Sequence, residues 1–243
     1  MKDTLQNIIQ YTAGLGSIDL IKITGTDAST AINAVAEDKS VIISGSLATT
    51  DPRFNGTFGM PNLGKLKTIL GFDDYDDTSK ISITTTNRNG VDTPEFIHFE
   101  TSNGDFINDY RLMAKNMIDD KVKDITYHGA GWNIEFEPSV ASILRLKKQA
   151  SANSDETTFV TKIDNGDLKI YFGDPSTHNA NFVFQSGVTG KLTKAWSWPV
   201  QVVISILNLP GDKMFRINDQ GAAEITVDSG LSVYKYLLPA QVK

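Results

Sequence analysis

The side chains with the clearest chemical potential in this 243-residue sequence are cations on short helical stretches. Residues 138 to 150, PSVASILRLKKQA, put Arg145 and Lys148 three apart on one helix face, flank them with Lys147 and contain no acid. Residues 61 to 71, PNLGKLKTILG, carry Lys65 and Lys67 as their only charges, and Lys2 opens a third stretch at 2 to 13. Cations grouped without neighbouring acids attract phosphate, so the chemistry is binding rather than bond breaking. One basic helix face is ordinarily a solvated surface; repetition of the arrangement gives it weight.

Other reactive residue types assemble less. His98, His128 and His178 lie outside metal-ligand spacing of one another, and a chain with no cysteine has neither a disulfide nor a thiolate for zinc. Asp73, Asp74, Asp76 and Asp77 lack the glycine and final glutamate of a calcium loop and read as a solvated acidic turn. Glycine-rich phosphate loops, a nucleophile elbow and H-E-x-x-H are all missing from the sequence. Neither a cofactor, a metal nor an enzyme is expected, because nothing gathers nucleophile, base and oxyanion site. Trp132, Trp196 and Trp198 could stack on bases, but beside apolar strands they read as core or interface aromatics. Asn55-Gly56-Thr57 is a chance match to a glycosylation sequon.

The elements that must position the cations follow from periodicity. Leu5, Ile8, Ile9 and Thr12 recur at helical spacing over residues 3 to 13, with Gly14 and Gly16 as the stop. Leu63, Leu66 and Leu70 form the stripe of the second helix, after Pro61. In the third, Pro138 and Ser139 mark the start, and Ile143, Leu146 and Ala150, with Val140 beside them, are expected to lie on a sheet. Residues 199 to 212, PVQVVISILNLPGD, suit a strand as well as a helix; Pro199 and Pro210-Gly211 at the ends favour the helix. Between these lie strand-like runs, including TTFVTKI and DLKIYFG joined as a hairpin through Asp164-Asn165-Gly166. Residues 114 to 130, charge-rich and without clean alternation, read as an interdomain connector. The order helix, strands, helix, strands occurs on both sides of it. The expected class is α+β, with domains at 1–113 and 131–243.

The whole chain is acidic, at −6, with 40% hydrophobic residues. Its first residues are too polar for a signal peptide and no apolar run approaches the length of a membrane span, so a soluble cytoplasmic protein without membrane contact is expected. Such a chain binds nucleic acid only through uneven charge. The four helical stretches hold six basic residues against one acid, Asp3: they total +5 and leave −11 for the remainder. That segregation suits a protein that sits on a phosphate backbone without reading bases.

Four stretches resemble the DNA sliding clamps, the polymerase processivity factors, above all those of T-even-like phages, and more distantly the proliferating cell nuclear antigen. KDTLQNIIQYTAGLGSIDL is similar to the family's opening helix and first strand, and FNGTFGMPNLGKLKTILGFDDYDD to its strand, helix and acidic turn. LNLPGDKMFRINDQGAAEITV resembles a helix exit and hairpin near the phage clamps' C-terminus, and YKYLLPA at 234–240 the terminal strand.

The resemblance implies a clamp fold of two similar domains, each with two helices on antiparallel sheets, in a homotrimeric ring around duplex DNA. Lys2, Lys65, Lys67, Arg145, Lys147 and Lys148 would face the hole, and loose phosphate contacts would let the ring slide. FINDYRLM (106–113) of one subunit would pair with NFVFQSG (181–187) of the next. The implied partners are the replicative DNA polymerase and a clamp loader, docking through Pro210, Tyr236, Leu237, Leu238 and Pro239. The competing expectation is a β-rich oligomeric phage tail or baseplate protein, which has no reason to segregate lysines onto helices.

Overall fold

The computed structural model describes residues 1–88, 90–123, 127, 129 and 131–241. Part of the expected connector, residues 124–126, 128 and 130, lies outside the described residues, and His128 with it. Two compact units divide the chain: residues 1–125 with 229–234, and residues 126–228 with 235–243.

In the first unit α1 (Lys2–Tyr11) leads into four strands, β1 (Leu20–Gly25), β2 (Thr30–Val35), β3 (Ile42–Leu47) and β4 (Gly56–Pro61). Then come α2 (Leu63–Leu70) and three more strands, β5 (Lys80–Arg88), β6 (Val91–Glu100) and β7 (Ile107–Arg111). The first four hydrogen-bond in the order β4-β1-β2-β3, all antiparallel, so the fourth strand returns to lie beside the first; β5-β6-β7 is a meander. Leu5, Ile8 and Ile9 of α1 and Leu63, Leu66, Ile69 and Leu70 of α2 are buried, and the two helices pack against each other. Asn62 holds the left-handed backbone (φ 55°) that starts α2, a conformation asparagine tolerates.

The second unit opens with β8 (Ile134–Phe136) and then repeats the plan: α4 (Val140–Ala152), β9 (Thr158–Asp164), β10 (Asp167–Gly173), β11 (Asn179–Gln185), β12 (Trp196–Pro199), α5 (Val200–Asn208), β13 (Asp212–Ile217), β14 (Ala222–Asp228) and β15 (Ser232–Pro239), whose residues through Tyr234 belong to the first unit. Its four-stranded sheet runs β12-β9-β10-β11, the same fourth-beside-first order as before, and α4 packs beside α5. Asn165 and Gly166 both have positive φ (52° and 84°), the turn an Asn-Gly pair selects between right-twisted strands. Ser139 caps α4 as its position suggested, its hydroxyl accepting from the Ser142 amide at 3.1 Å. The segment 199–212 is helical through Asn208, with Val200, Val203, Ile206 and Leu207 buried.

Three expectations need correction. The stretch 114–130 is not irregular throughout: Lys115–Lys121 form α3, whose Ile118 is fully buried. A seven-residue helix is too short for a periodic signal; packing on β4 stabilises it, because Gly59 leaves room for the Ile118 side chain. Val140 is 74% exposed instead of lying on the sheet, since Ser142, Leu146 and Ala150 form the buried stripe. The strand-like run SIDLIKIT (17–24) is a strand only from Leu20, because a 3-10 turn over Ala13–Leu15 extends the exit of α1.

Candidate nucleic-acid interface

The four expected helices form as two packed pairs, α1 with α2 and α4 with α5, one pair in each unit. In each pair the apolar stripe is buried, which turns the charged positions outward. Lys65, Lys67, Arg145 and Lys148 are exposed and Lys147 is half-buried. Among the described residues none of these five forms an ion pair, whereas eight other cations do. Arg53 sits on Asp51, Arg111 on Glu95, Lys169 on Asp164 and Arg216 on Glu135. A cation without a protein carboxylate keeps its full attraction for an external phosphate.

Lys2 stands apart. Its ammonium donates to the Tyr75 carbonyl and its side chain is half-buried, so it is tied to the acidic turn. In that turn Asp73, Asp74, Asp76 and Asp77 are exposed while Tyr75 is buried, and the Asp76 carboxylate accepts from the Thr78 amide at 2.8 Å. The carboxylates are spent on turn geometry and solvent. α5 contributes no charge; Gln201 and Asn208 are its exposed polar side chains.

The residues expected to receive partner proteins divide. Tyr236 and Leu238 are fully buried, because alternate side chains of β15 point into the core, and this corrects their assignment to a docking surface. Leu237 is half-buried, and Pro239 and Pro210 are exposed. The chain beyond β15 is itself anchored: the Ala240 amide donates to the Gly221 carbonyl at 2.8 Å and the Gln241 amide to the Ser197 carbonyl at 2.9 Å.

Sequence reasoning missed one charged group altogether. Lys22 of β1 is 5% exposed and its ammonium lies 2.9 Å from the Asp119 carboxylate on α3, which Lys115 also contacts. Two ammonium groups hold the Asp119 carboxyl at about 2, the hydrogen bond from Lys115 contributing most and that from Lys22 next. Lys115 and Asp119 at i, i+4, with Ile118 and Val122 at the same spacing, were the available signal. Of the tryptophans, Trp198 is a core aromatic, fully buried with its indole N–H on the Thr161 hydroxyl at 2.8 Å, while Trp132 is half-buried and stacks on Tyr127 at 5.0 Å. Among the described residues no cluster of three His, Asp or Glu side chains could hold a metal ion.

Two copies of a helix-pair-and-sheet plan define a class, the DNA sliding-clamp fold, and solved structures bear this out. The chain is similar to PCNA from Thermococcus kodakaraensis, with 10% identity, a TM-score of 0.65 and 99% of this chain and 95% of that one covered. It is similar to A. fulgidus PCNA, in a structure with the C-terminal region of FEN-1 bound, at 10% identity and a TM-score of 0.69 over 100% and 96% of the chains. Proliferating cellular nuclear antigen from Entamoeba histolytica aligns at 13% identity and 0.66, over 99% and 94%. No family model matches the sequence, and no curated protein does.

Proposed function

We propose that the chain is a sliding clamp of the T-even-like phage type, a non-enzymatic ring that encircles duplex DNA and tethers a replicative polymerase for processive synthesis. The observation that carries this reading is a group of cations that form no ion pair among the described residues, on the helix pairs of a clamp fold: Lys65, Lys67, Arg145, Lys147 and Lys148, in a chain whose remainder is strongly acidic. Contacts of this kind are made to phosphate alone and are screened and exchanged easily, so the duplex is held without being pinned at one sequence.

Sheet edges support assembly into a ring. β7 and β11 each stand last in their sheets, and Phe106, just before β7, and Ile107, its first residue, are 36% and 51% exposed. Open apolar edges invite pairing with another copy, and β7 against β11 of the next subunit uses both at once. A closed homotrimer leaves neither edge free. Pro210, Leu237 and Pro239 remain as the accessible part of a docking surface for the polymerase and a clamp loader, in the host cytoplasm if the source is viral.

Light scattering over a dilution series, followed by retention on circular and linearised DNA, tests the reading. The expected result is a species near three times 26.6 kDa that, once loaded, stays on circular DNA and runs off linear DNA. A large open-ended assembly would instead favour a phage structural protein.

A further inference from the structure

We propose that His98 is a proton-operated latch on β7, the edge strand of the meander: the doubly protonated imidazole holds β7 against β6, and the neutral ring lets the strand loosen. The latch uses residues of the first unit only. Its consequence for assembly rests on the clamp reading, in which β7 pairs with the next subunit.

Register places the parts. His98 lies opposite Ser82 of β5 on one side and Asp109 of β7 on the other, and alternation puts Lys80, Phe96, Glu100 and Arg111 two residues along on the same face. The Nδ1 atom of His98 stands 2.7 Å from the Asp109 carboxylate, and Nε2 stands 3.3 Å from that of Glu100. Ionised carboxylates only accept, so the two contacts together need two N–H donors, which the imidazolium has and the neutral ring lacks. On losing its proton the ring turns a lone pair toward one carboxylate and surrenders the charge that strengthens both bonds.

The remaining ties of β7 differ in kind. Tyr110 is its buried residue; on that inner face the Tyr110 hydroxyl donates to the Pro61 carbonyl, and the Asn108 side-chain amide donates to the Tyr75 hydroxyl at 2.7 Å. On the outer face Arg111 lies 3.2 Å from Glu95 with its guanidinium 4.7 Å over the Phe96 ring, and just past the strand Met113 bridges to Gly59. Arginine keeps its charge at every working pH, so the mid-strand tie from His98 to Asp109 is the one that titrates near neutrality. Of the other charges nearby, Lys80 sits 3.6 Å from Glu100, and Asp105 in the β6–β7 turn accepts from the Thr101 hydroxyl at 2.9 Å. The Asp109 hydrogen bond contributes most to a raised His98 pKa, so the latch is complete below the ordinary value of about 6.5 and released as pH rises through the raised one. An edge strand accepts another strand only while it stays extended and in register, so loosening β7 withdraws the edge and spares the core.

Hydrogen exchange of the full chain, read by mass spectrometry at about pH 6 and about pH 8.5 and corrected for intrinsic rates, tests the latch at a concentration low enough to leave β7 uncovered. Opening of residues 107–111 should rise about threefold or more at the higher pH relative to β5, and the rise should vanish in His98→Gln, which is neutral at both. His98→Lys, a cation at both, should keep β7 closed throughout. If His98→Gln misfolds, Asp109→Asn takes its place with the same expectation, at a side chain that is 52% exposed. Opening that ignores pH, or that rises equally in the variants, overturns the latch. Sedimentation of the native chain at the same two pH values separates the latch from the clamp reading. Rings that dissociate about threefold more readily at the higher pH support both, and rings whose dissociation ignores pH overturn control of assembly by His98. A monomer at both pH values overturns the ring, while the exchange result still decides the latch.

Discussion

Single residues tie distant parts of the first unit together. Tyr234 stacks on Tyr11 with ring centroids 4.9 Å apart, and its hydroxyl donates to the Asn7 side-chain oxygen at 3.0 Å, within a fully buried environment. Burial raises the Tyr234 hydroxyl well above the ordinary tyrosine range, so it stays a donor at every working pH. Tyr234→Phe keeps the ring and strands the Asn7 oxygen, which costs about 1–3 kcal/mol in chemical denaturation. On the outer face of the meander, His98 lies between Asp109 at 2.7 Å and Glu100 at 3.3 Å. Its pKa is raised, chiefly by the Asp109 hydrogen bond and next by that from Glu100, against the opposing effect of burial. A raised folded-state value means that the contribution is fully present below the unfolded pKa of about 6.5 and is lost as pH rises through the folded one. The stability gap between the native chain and Asp109→Asn should therefore be wider at about pH 5.5 than at about pH 8.5, and the His98 ring proton should titrate lower in the variant.

At the scale of elements, helix quality varies. α2 forms in spite of Gly64, a position that is exposed and where an added Cβ would meet nothing within 4 Å. The glycine therefore costs conformational entropy without serving a close approach, and Gly64→Ala should stabilise the protein by about 0.4–1 kcal/mol, read as a higher denaturation midpoint with unchanged m-value. Gly59 is the opposite case, since its missing side chain is what admits Ile118 and docks α3. The two glycines look alike in the sequence and differ only in what lies across from them.

For the molecule as a whole, charge segregation and repetition act together. Replacing Arg145 and Lys148 with Ala removes two exposed cations without a buried contact, so the fold should survive. Under the clamp reading, DNA affinity of the loaded ring should weaken uniformly across sequences, and the slope of log affinity against log salt should fall in magnitude by about 1 to 2. An unchanged slope would remove these two side chains from the DNA surface. The solution mass belongs to the same scale, because under the clamp reading ring closure depends on the edges of β7 and β11, which end their sheets, and on no single residue.

The four longer helices, the Asn165-Gly166 hairpin and the Ser139 cap were legible in the sequence, because each is set by neighbours within about four residues. So was the outward placement of Lys65, Lys67, Arg145 and Lys148, which follows once the apolar stripe is assigned to the core. Tertiary structure alone decided the fourth-beside-first strand order in both sheets, since pairing partners lie too far apart in sequence for local propensity to select them. It also decided that Tyr236 and Leu238 face inward, that Val140 faces outward, and that α3 exists at all. The pairing of Lys22 with Asp119 belongs with these: a lysine in a strand and an aspartate in a charge-rich stretch announce nothing until the Gly59 gap brings them within 2.9 Å.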